Sequence, residues 1–306
     1  MTKKWITVMG SFVADLAFRA GRVPAWGETL MGYSFKLGPG GKGSNQAVAA
    51  ARAGGRVSFI SKLGRDPFGD MARSLFETEC IDTQFLFRTE SATGAAAIIV
   101  DAAKGENAII VVPGACFELT AAEVDQARTL IAASSIFVAQ LELSLPVVEH
   151  GLALAHGLGV PTILNPAPAQ PLPEKIYRDI DYITPNETET AALTGVKVAT
   201  LADAEKAADA FLARGVRNVV ITLGAQGAFV KNAQVNAHVS AFKAGKVVET
   251  TGAGDAFNGG FAVALSEGMD LVEATRFGCA TAGISITRPG TAPSMPARTE
   301  IDALCR

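Results

Sequence analysis

The stretch "SIFVAQLELSLPVVEHGLALAHGLGVPTILNPA", residues 135–167, has two short apolar runs that flank one longer run rich in alanine and leucine. Short apolar runs rich in β-branched residues are typical of buried strands, and the longer run is typical of a helix. The same alternation recurs in "WITVMG" (5–10), "NQAVAAARAG" (45–54), "VSFISKLG" (57–64), "DMARSLFETE" (70–79), "YITPNETE" (182–189), "DAEKAADAFLARG" (203–215) and "NVVITLG" (218–224). This order predicts right-handed crossovers and an α/β fold: a mostly parallel central sheet between two layers of helices, with ligands at the carboxyl ends of the strands.

Two regions break the alternation. Residues 30–37, "LMGYSFKL", and 94–112, "GAAAIIVDAAKGENAIIVV", resemble strands without a helix between them, and "AKGEN" is typical of a hairpin turn. They predict a small β-sheet lid, formed by segments at roughly 16–37 and 92–113, on a single domain that spans residues 1–306. A small sheet with an apolar face needs a partner for that face, so the lid is expected to cover the site, form an oligomer surface, or both.

The composition excludes several classes of protein. With 306 residues, 49% of them hydrophobic, the chain can bury a large core, and its net charge of −3 offers no basic field for nucleic acid or anionic lipid. No apolar run reaches membrane-spanning length, so we expect a soluble, cytoplasmic protein. The four cysteines form no C-x-x-C pair, and the three histidines stand in no nucleophile or metal-ligand motif. Catalysis is therefore expected to depend on carboxylates.

The stretch "TTGAGDAFNGGF", residues 250–261, follows a strand-like run, "KVVETT" (246–251), and leads into a helix-like run. Gly252, Ala253 and Gly254 place backbone amides at a helix N-terminus, where an anion is favoured. Asp255 in the same turn is either a favourable charge at a helix start or a base that accepts the proton of an alcohol attacking a phosphoryl group. Beside an anion site, the second interpretation is preferred.

The segment "GPGGKGSNQAVAAA", residues 38–51, matches G-x-G-x-x-G, and Ser44 can cap the helix that follows. The match does not directly follow the first strand, as a dinucleotide site requires, and Gly43 stands where a P-loop needs Ser or Thr. We expect the glycines to let backbone amides approach a polar ligand, with Lys42 and Asn45 as side-chain donors. A tight turn that enters a packed helix is the alternative.

Two further turns follow predicted strands. In "PNETE", Asn186 and Glu189 are suited to magnesium shared with phosphate oxygens, although their spacing also fits a helix capping box. In "ITLGAQG", residues 221–227, Thr222 and two glycines would let a nucleotide lie against the backbone.

Taken together, these motifs resemble those of the ribokinase, or PfkB-type, family of carbohydrate kinases. The resemblance runs along nearly the whole chain, through "GSFVAD", "GGKGSNQAVAAARAG", "QLE", "NPAPA", "PNETE", "ITLGAQG", "GAGDAFNGGF" and "TRPGTAPS". It implies a ribokinase-like fold with Asp255 as the base and an anion hole from Gly252, Ala253 and Gly254. The sugar-binding residues it implies are Asp15, Gly41, Lys42, Asn45, Glu142 and Asp255. For ATP it implies Asn186, Thr222, Gly224, Gly227 and Gly254, with Glu189 near the magnesium-bound phosphates.

Two positions depart from the family pattern. Val13 stands where the family usually has asparagine in "GSxNxD", so a partner for one sugar hydroxyl is missing. Glu249 stands where the family commonly has aspartate in a loop that binds a monovalent cation. The cation site that the resemblance implies comprises Glu249, Thr251, Ser285, Arg288, Gly290 and Ser294, so potassium is expected alongside ATP and Mg²⁺.

The resemblance implies a transferase of carbohydrate metabolism: an ATP-dependent kinase for the primary hydroxyl of a pentose, foremost D-ribose, acting as a homodimer through the lid. A kinase for 2-deoxyribose, fructose or another furanose or nucleoside is the nearest alternative, and Val13 favours the first of these. A sugar or nucleotide sensor without catalysis is an alternative of another class. An NAD-binding dehydrogenase rests on the displaced glycine motif alone.

Overall fold

The computed structural model describes residues 5–101 and 107–306, so the turn predicted within "AKGEN" lies outside the described residues except for Asn107. The strands are β1 (Trp5–Met9), β2 (Val13–Ala20), β3 (Ser34–Gly40), β4 (Arg56–Gly64), β5 (Leu86–Thr89), β6 (Thr93–Asp101), β7 (Asn107–Gly114), β8 (Ser134–Ala139), β9 (Thr162–Leu164), β10 (Tyr182–Ile183), β11 (Asn218–Thr222), β12 (Ala228–Lys231) and β13 (Asn236–Val239). The α-helices are α1 (Lys42–Arg52), α2 (Pro67–Thr78), α3 (Ala121–Gln126), α4 (Arg128–Ala132), α5 (Leu145–Gly157), α6 (Glu187–Thr194), α7 (Leu201–Ala213), α8 (Ala253–Ser266), α9 (Leu271–Ser285) and α10 (Arg298–Cys305).

The larger sheet has the order β13-β12-β11-β10-β9-β8-β1-β4-β5. The strands from β11 to β5 are parallel, and β12 and β13 extend the sheet in antiparallel fashion. This confirms the predicted α/β class with a mostly parallel sheet. It also brings the carboxyl ends of β1, β8, β9, β10 and β11 to one edge.

The central strands are apolar on both faces, as a sheet covered on both sides requires. In β8, Ile136 and Val138 belong to the core shared with α1, α8 and α9, whereas Phe137 and Ala139 belong to the core shared with α5 and α7. Successive side chains of a strand point to opposite faces, so one short apolar run supplies both cores.

The smaller sheet is the predicted lid, with the order β3-β2-β6-β7. Its register pairs Leu16 with Leu37 and Phe18 with Phe35, which places these side chains on one face. Asp15 lies on the other face because it alternates with them along β2. The lid therefore has an apolar outer face and an inner face that carries a carboxylate.

Two local predictions were wrong. "KVVETT" (246–251) forms no strand, because the amides of Val248 and Glu249 both donate to the carbonyl of Ile286 after α9. Ser44 does not cap α1, because the helix already begins at Lys42, with Gly41 as its N-cap at φ 88°. The first error reflects a contact between residues distant in sequence, and the second an earlier start of the helix.

Within residues 5–101 and 107–306, no helix is long and apolar enough to cross a membrane. Cys80, Cys116, Cys279 and Cys305 are free thiols.

Candidate active site

A cavity of about 150 Å³ lies at the carboxyl ends of the parallel strands. It is lined by Lys42, Asn165, Ala167, Thr184, Asn186, Glu189, Thr222, Gly252, Gly254, Asp255 and Asn258. Seven of these residues were predicted from the sequence to bind substrate, nucleotide or metal, or to act in catalysis: Lys42, Asn186, Glu189, Thr222, Gly252, Gly254 and Asp255. Positions as far apart in sequence as Lys42 and Asn258 thus line one site.

The glycines after β3 bring α1 against the loop after β1. A Cβ on Gly41 would lie 2.8 Å from the amide nitrogen of Val13, and one on Gly43 would lie 2.6 Å from Cα of Gly10. In the structure these glycines admit the backbone of a neighbouring loop, and their role in letting amides approach a ligand stays a prediction. The close approach is needed because it sets Lys42 and Asn45 beside the cavity.

Glu142 joins this loop to α1 on the side of the site nearest the lid. Its Oε2 accepts hydrogen bonds from the hydroxyl of Ser11 and from the backbone amide of Lys42, the latter at 2.9 Å. Asp15 faces the same region from β2. Burial, together with the charges of Glu142, Asp255 and Glu249, raises the pKa of Asp15 to about 6. Asp15 is therefore mostly a carboxylate at neutral pH, able to accept from hydroxyl groups.

Asp255 is 6% exposed, in the first turn of α8. Its Oδ1 accepts from Nε2 of Gln46 at 3.0 Å, and its Oδ2 accepts from Nδ2 of Asn45 at 3.0 Å. Burial raises its pKa, while the charge of Lys42 and the bonds from Gln46 and Asn45 oppose that rise. A buried carboxylate of raised pKa, held by two amides, has the character of a general base.

Lys42 supplies the positive charge of the site. Burial by itself lowers its pKa, but the carboxylates of Asp255, Glu142 and Glu189 outweigh that effect and raise the pKa. The lysine is therefore charged at neutral pH. It lines the same cavity as Gly252 and Gly254, the residues predicted for phosphate.

The first turn of α8 forms the wall opposite Lys42. Gly252 is its N-cap in the left-handed conformation, with φ 81°, and a Cβ on Gly254 would meet no atom within 4 Å. The first amides of a helix have no acceptor within the helix, and the helix dipole favours an anion there. The amide of Ala253 is bonded to the carbonyl of Thr250 at 3.2 Å, so Gly254 is the better-placed donor of the predicted set.

The residues predicted for nucleotide and magnesium have two different surroundings. Asn186 and Glu189 form a reciprocal capping box at the start of α6, the alternative that their spacing allowed. Thr222, at the end of β11, lines the cavity, but Gly224 and Gly227 do not. A Cβ on Gly227 would collide with the carbonyl of Val239, so this glycine is required by the turn between β11 and β12.

The residues predicted for a monovalent cation come from two segments that meet beside α8. Oε2 of Glu249 accepts from the amide of Gly290 at 2.8 Å, which joins the segments 249–251 and 285–294. Thr291 in the second segment also donates its hydroxyl to the carbonyl of Pro39, in the lid, at 3.1 Å. The longer glutamate thus fits between the segments in place of the family's aspartate.

Sequence reasoning gave no role to five buried polar residues that line the cavity or lie next to its lining: Gln46, Gln140, Asn165, Thr184 and Asn258. Each lies in or beside a quoted motif, but none has a spacing that predicts chemistry. A usable signal is a polar residue at the end of an otherwise apolar strand, as with Gln140 after β8 and Asn165 after β9, since such a residue is buried only when it is hydrogen-bonded.

A larger depression of about 480 Å³ is open to solvent. It lies where β11 begins and β12 ends. Arg217 in it pairs with Asp181 at 2.7 Å, and Asn232 donates to Asn218 at 2.8 Å. These three polar side chains of its lining are therefore already engaged with protein partners.

Similarity to known proteins extends over nearly the whole chain. The sequence profile of the pfkB family carbohydrate kinases matches residues 3–298. A ribokinase of Haemophilus influenzae is 43% identical over 298 residues, 97% of each chain, and a deoxyribokinase of Salmonella typhi is 35% identical over 292 residues, 95% of each chain. The structure of Arabidopsis thaliana ribokinase complexed with ribose and ATP aligns with a TM-score of 0.93 at 29% identity, over 100% of this chain and 99% of that one.

Proposed function

Because this chain belongs to the pfkB family of carbohydrate kinases, enzymes that transfer a phosphoryl group to an alcohol, we propose that it transfers the γ-phosphoryl group of ATP to the primary hydroxyl of D-ribose, forming ribose 5-phosphate. The observation that carries the proposal is the position of Asp255. Its buried carboxylate lies in the first turn of a helix whose N-terminus is suited to phosphate, and it is near enough to Asp15 of the lid for the two charges to interact.

In the proposed mechanism, Asp255 accepts the proton of the attacking hydroxyl as the bond to phosphorus forms. The amides at the start of α8, with Gly254 foremost, stabilise the charge on the transferred group, and the Lys42 ammonium adds to that field. Stabilisation of this kind is strong because the groups are fixed before the reaction and are shielded from water.

The sugar is proposed to bind between the lid and α1. Asp15 and Glu142 are hydroxyl acceptors there, and Asn45 offers an amide beside the base, with Gly41 shaping the same wall. ATP is proposed to lie along Thr222 and the turn at Gly224 and Gly227, so that its phosphates point to Gly254 and Lys42. The relative of similar fold that was solved in complex with ribose and ATP supports ATP as the nucleotide.

Magnesium is proposed to reach the site with the nucleotide phosphates. Within the described part of the chain, no group of three or more His, Cys, Asp or Glu side chains is arranged to hold a metal ion. Asn186 and Glu189 fit an indirect role through water, because their atoms bond chiefly to each other. When bound, Mg²⁺ neutralises charge on the phosphate oxygens.

Potassium is proposed to bind where the segments 249–251 and 285–294 meet. The proposed ligands are Glu249 with backbone oxygens around Thr251, Ser285, Arg288, Gly290 and Ser294. A cation there would steady the turn that precedes α8. The contact from Glu249 to Gly290 supports this site, since it already places a carboxylate between the two segments.

The proposed activity is tested by ADP release from ATP and Mg²⁺ with ribose, 2-deoxyribose, fructose and nucleosides, each with and without potassium. We expect turnover with ribose, and faster turnover when potassium is present. Sugar binding without turnover on any substrate would instead favour the non-catalytic sensor. Binding of a nicotinamide cofactor would favour the dehydrogenase.

A kinase for 2-deoxyribose is the second candidate, and Val13 favours it. Val13 is buried at the start of β2, on the same inner face of the lid as Asp15. A valine offers no partner to a sugar hydroxyl, so a site built with it gains little from the 2-hydroxyl of ribose. The similarity to a deoxyribokinase supports this candidate as well.

The change Val13→Asn is expected to raise kcat/KM for ribose relative to 2-deoxyribose by about tenfold, the effect of one net hydrogen bond. The measurement is the ratio of the two kcat/KM values in wild type and variant. Val23→Asn, at an exposed valine between β2 and β3, is the control and should leave the ratio unchanged. An unchanged ratio in Val13→Asn would show that position 13 does not face the sugar.

We propose that the lid also joins two copies of the chain. Its outer face exposes large apolar side chains, among them Phe18 at 42%, Phe35 at 55% and Ile110 at 69%. The rings of Phe18 and Phe35 pack with their centres 4.9 Å apart and their planes tilted by 34°. An apolar sheet face of this kind is stabilised by a second, identical face across a two-fold axis.

Wild-type protein is expected to have twice the 31.7 kDa mass of one chain in solution, and Ile110→Lys the mass of one chain. The reason is that the lysine would place a charge in the centre of an apolar interface. Light scattering at micromolar concentration measures both. Leu201→Lys changes an apolar side chain that is exposed on α7, outside the lid, and should remain a dimer. A monomeric wild type would exclude the lid interface.

A further inference from the structure

A buried side-chain amide lies behind the carboxylate of Asp255. Nε2 of Gln46 donates to Oδ1 of Asp255 at 3.0 Å and to Oδ1 of Asn165 at 3.1 Å, and its Oε1 accepts from Nε2 of Gln140 at 2.7 Å. Gln46 is 1% exposed. Its amide can have only this orientation, because a flipped amide would set its oxygen against two acceptors.

The same set of contacts continues to the helix start that is proposed to bind phosphate. Nδ2 of Asn165 donates to the carbonyl of Thr184 at 3.1 Å, and the hydroxyl of Thr184 donates to Oδ1 of Asn258 at 2.6 Å. Nδ2 of Asn258 then donates to the carbonyl of Gly254 at 2.8 Å. These side chains, from the ends of β9 and β10 and from α8, are all buried. Hydrogen bonds in such a buried chain reinforce one another, and a missing member leaves its neighbours unsatisfied.

The two oxygens of Asp255 are therefore held from different directions. Asn45 holds Oδ2 from the wall proposed for the sugar, whereas Gln46 holds Oδ1 from beneath. The other partners of Gln46 are Gln140 and Asn165, both almost fully buried. Its contacts are consequently those of a support for the carboxylate and differ from those of a residue that binds substrate.

We propose that Gln46 is a positioning residue: its single amide group fixes the plane of the Asp255 carboxylate and, through Asn165, Thr184 and Asn258, ties that plane to the first turn of α8. The base and the phosphate-binding turn are thereby held in a fixed position relative to each other. The inference rests on the proposed role of Asp255 as the base. It adds a residue that acts through Asp255 without touching sugar or nucleotide.

The charges around Asp255 determine what loss of this bond would do. They are Lys42 of α1, Glu142 after β8, Asp15 of β2 and Glu189 of α6. Only the charge of Lys42 favours the ionised form of Asp255. The three carboxylates and burial all favour the protonated form. Removing the Gln46 donor therefore raises the pKa of Asp255, so the base becomes protonated at a higher pH.

The test is the pH dependence of kcat from pH 5 to 8 at saturating sugar and ATP. Asp15 has a pKa of about 6, but at saturating sugar it stays bound to the sugar, so its titration does not contribute to the kcat–pH profiles that are compared. Gln46→Met, which keeps the length but not the donor, should shift the acidic limb of kcat upward by about one pH unit, so that activity below the limb falls about tenfold. The sugar KM should change less than threefold, because Gln46 makes no sugar contact.

Gln46→Glu is the second variant, and it nearly keeps the shape of the side chain. Its carboxylate beside Asp255 should shift the limb further upward than Gln46→Met does, since two adjacent carboxylates do not ionise independently. This variant keeps the test decisive if Gln46→Met does not fold. Thr275→Val, which removes a buried hydroxyl that donates to the carbonyl of Leu271 within α9, is the control and should not shift the limb.

If the wild type is active and neither Gln46 variant shifts the acidic limb of kcat, the inference is overturned while the proposed function stands. The same holds if the variants change only the KM for the sugar. Absence of turnover in wild type would instead remove the proposed function, and the inference with it. A shift of equal size in Thr275→Val would also overturn the inference, because it would reveal a general effect of buried polar groups on stability.

Discussion

Asp255→Asn is expected to lower kcat by about 10²- to 10⁴-fold, the range attributed to a positioned general base. Asparagine keeps the shape of the side chain but cannot accept the proton of the attacking hydroxyl. The affinity for ATP should change little, since the amides of α8 remain in place. The measurement is ADP release at saturating sugar and ATP, with nucleotide affinity determined separately by calorimetry.

The matched control is Asp270→Asn. Asp270 is the N-cap of α9, where its carboxylate accepts from the amides of Val272 and Glu273, each at 2.9 Å, and asparagine caps a helix equally well. If Asp255 were only a favourable charge at a helix start, both variants would keep wild-type turnover. A large loss in Asp255→Asn alone would separate chemistry from helix capping.

The parts of the fold predicted from the sequence are those set by local pattern. The apolar runs "SIFVAQ" and "PTIL" became β8 and β9 because alternate side chains of one run fill the cores on both faces of the sheet. The capping box of Asn186 and Glu189 was also readable, since its partners are three residues apart. "KVVETT" has the same local pattern but failed, because its amides bond to the carbonyl that follows α9 and its valines remain exposed.

The residues of the candidate site likewise divide into those predicted from a local motif and those placed by contacts between distant parts of the chain. Asp255, Lys42 and the glycines before α8 were predicted because each belongs to a motif whose chemistry is local. Gln46 was not, although it stands next to Asn45, because its partner Asp255 lies 209 positions further along the chain. Neither composition nor spacing encodes a contact of that separation. The packing of α1 against α8 on one face of the sheet makes the two residues neighbours.

Lys42→Met is expected to lower kcat by about 10²- to 10³-fold, the loss typical of removing one fixed group that stabilises transition-state charge. A second consequence follows from its charge. Lys42 is the strongest of the influences that lower the pKa of Asp255, so its removal leaves only the bonds from Gln46 and Asn45 to oppose burial and raises that pKa. The acidic limb of kcat should therefore move upward in pH, and the measurement is the kcat–pH profile at saturating substrates.

The control is Lys62→Met, at a lysine that is similarly shielded but pairs with Glu123 at 2.9 Å, away from the cavity. It should leave the limb in place. If Lys42→Met raises the KM for the sugar but leaves kcat unchanged, the role of Lys42 is restricted to sugar binding, as the family resemblance implied. A loss in kcat together with a shifted limb would place its charge between the two substrates, because only a group that faces both Asp255 and the transferred phosphoryl group can change the base and the barrier together.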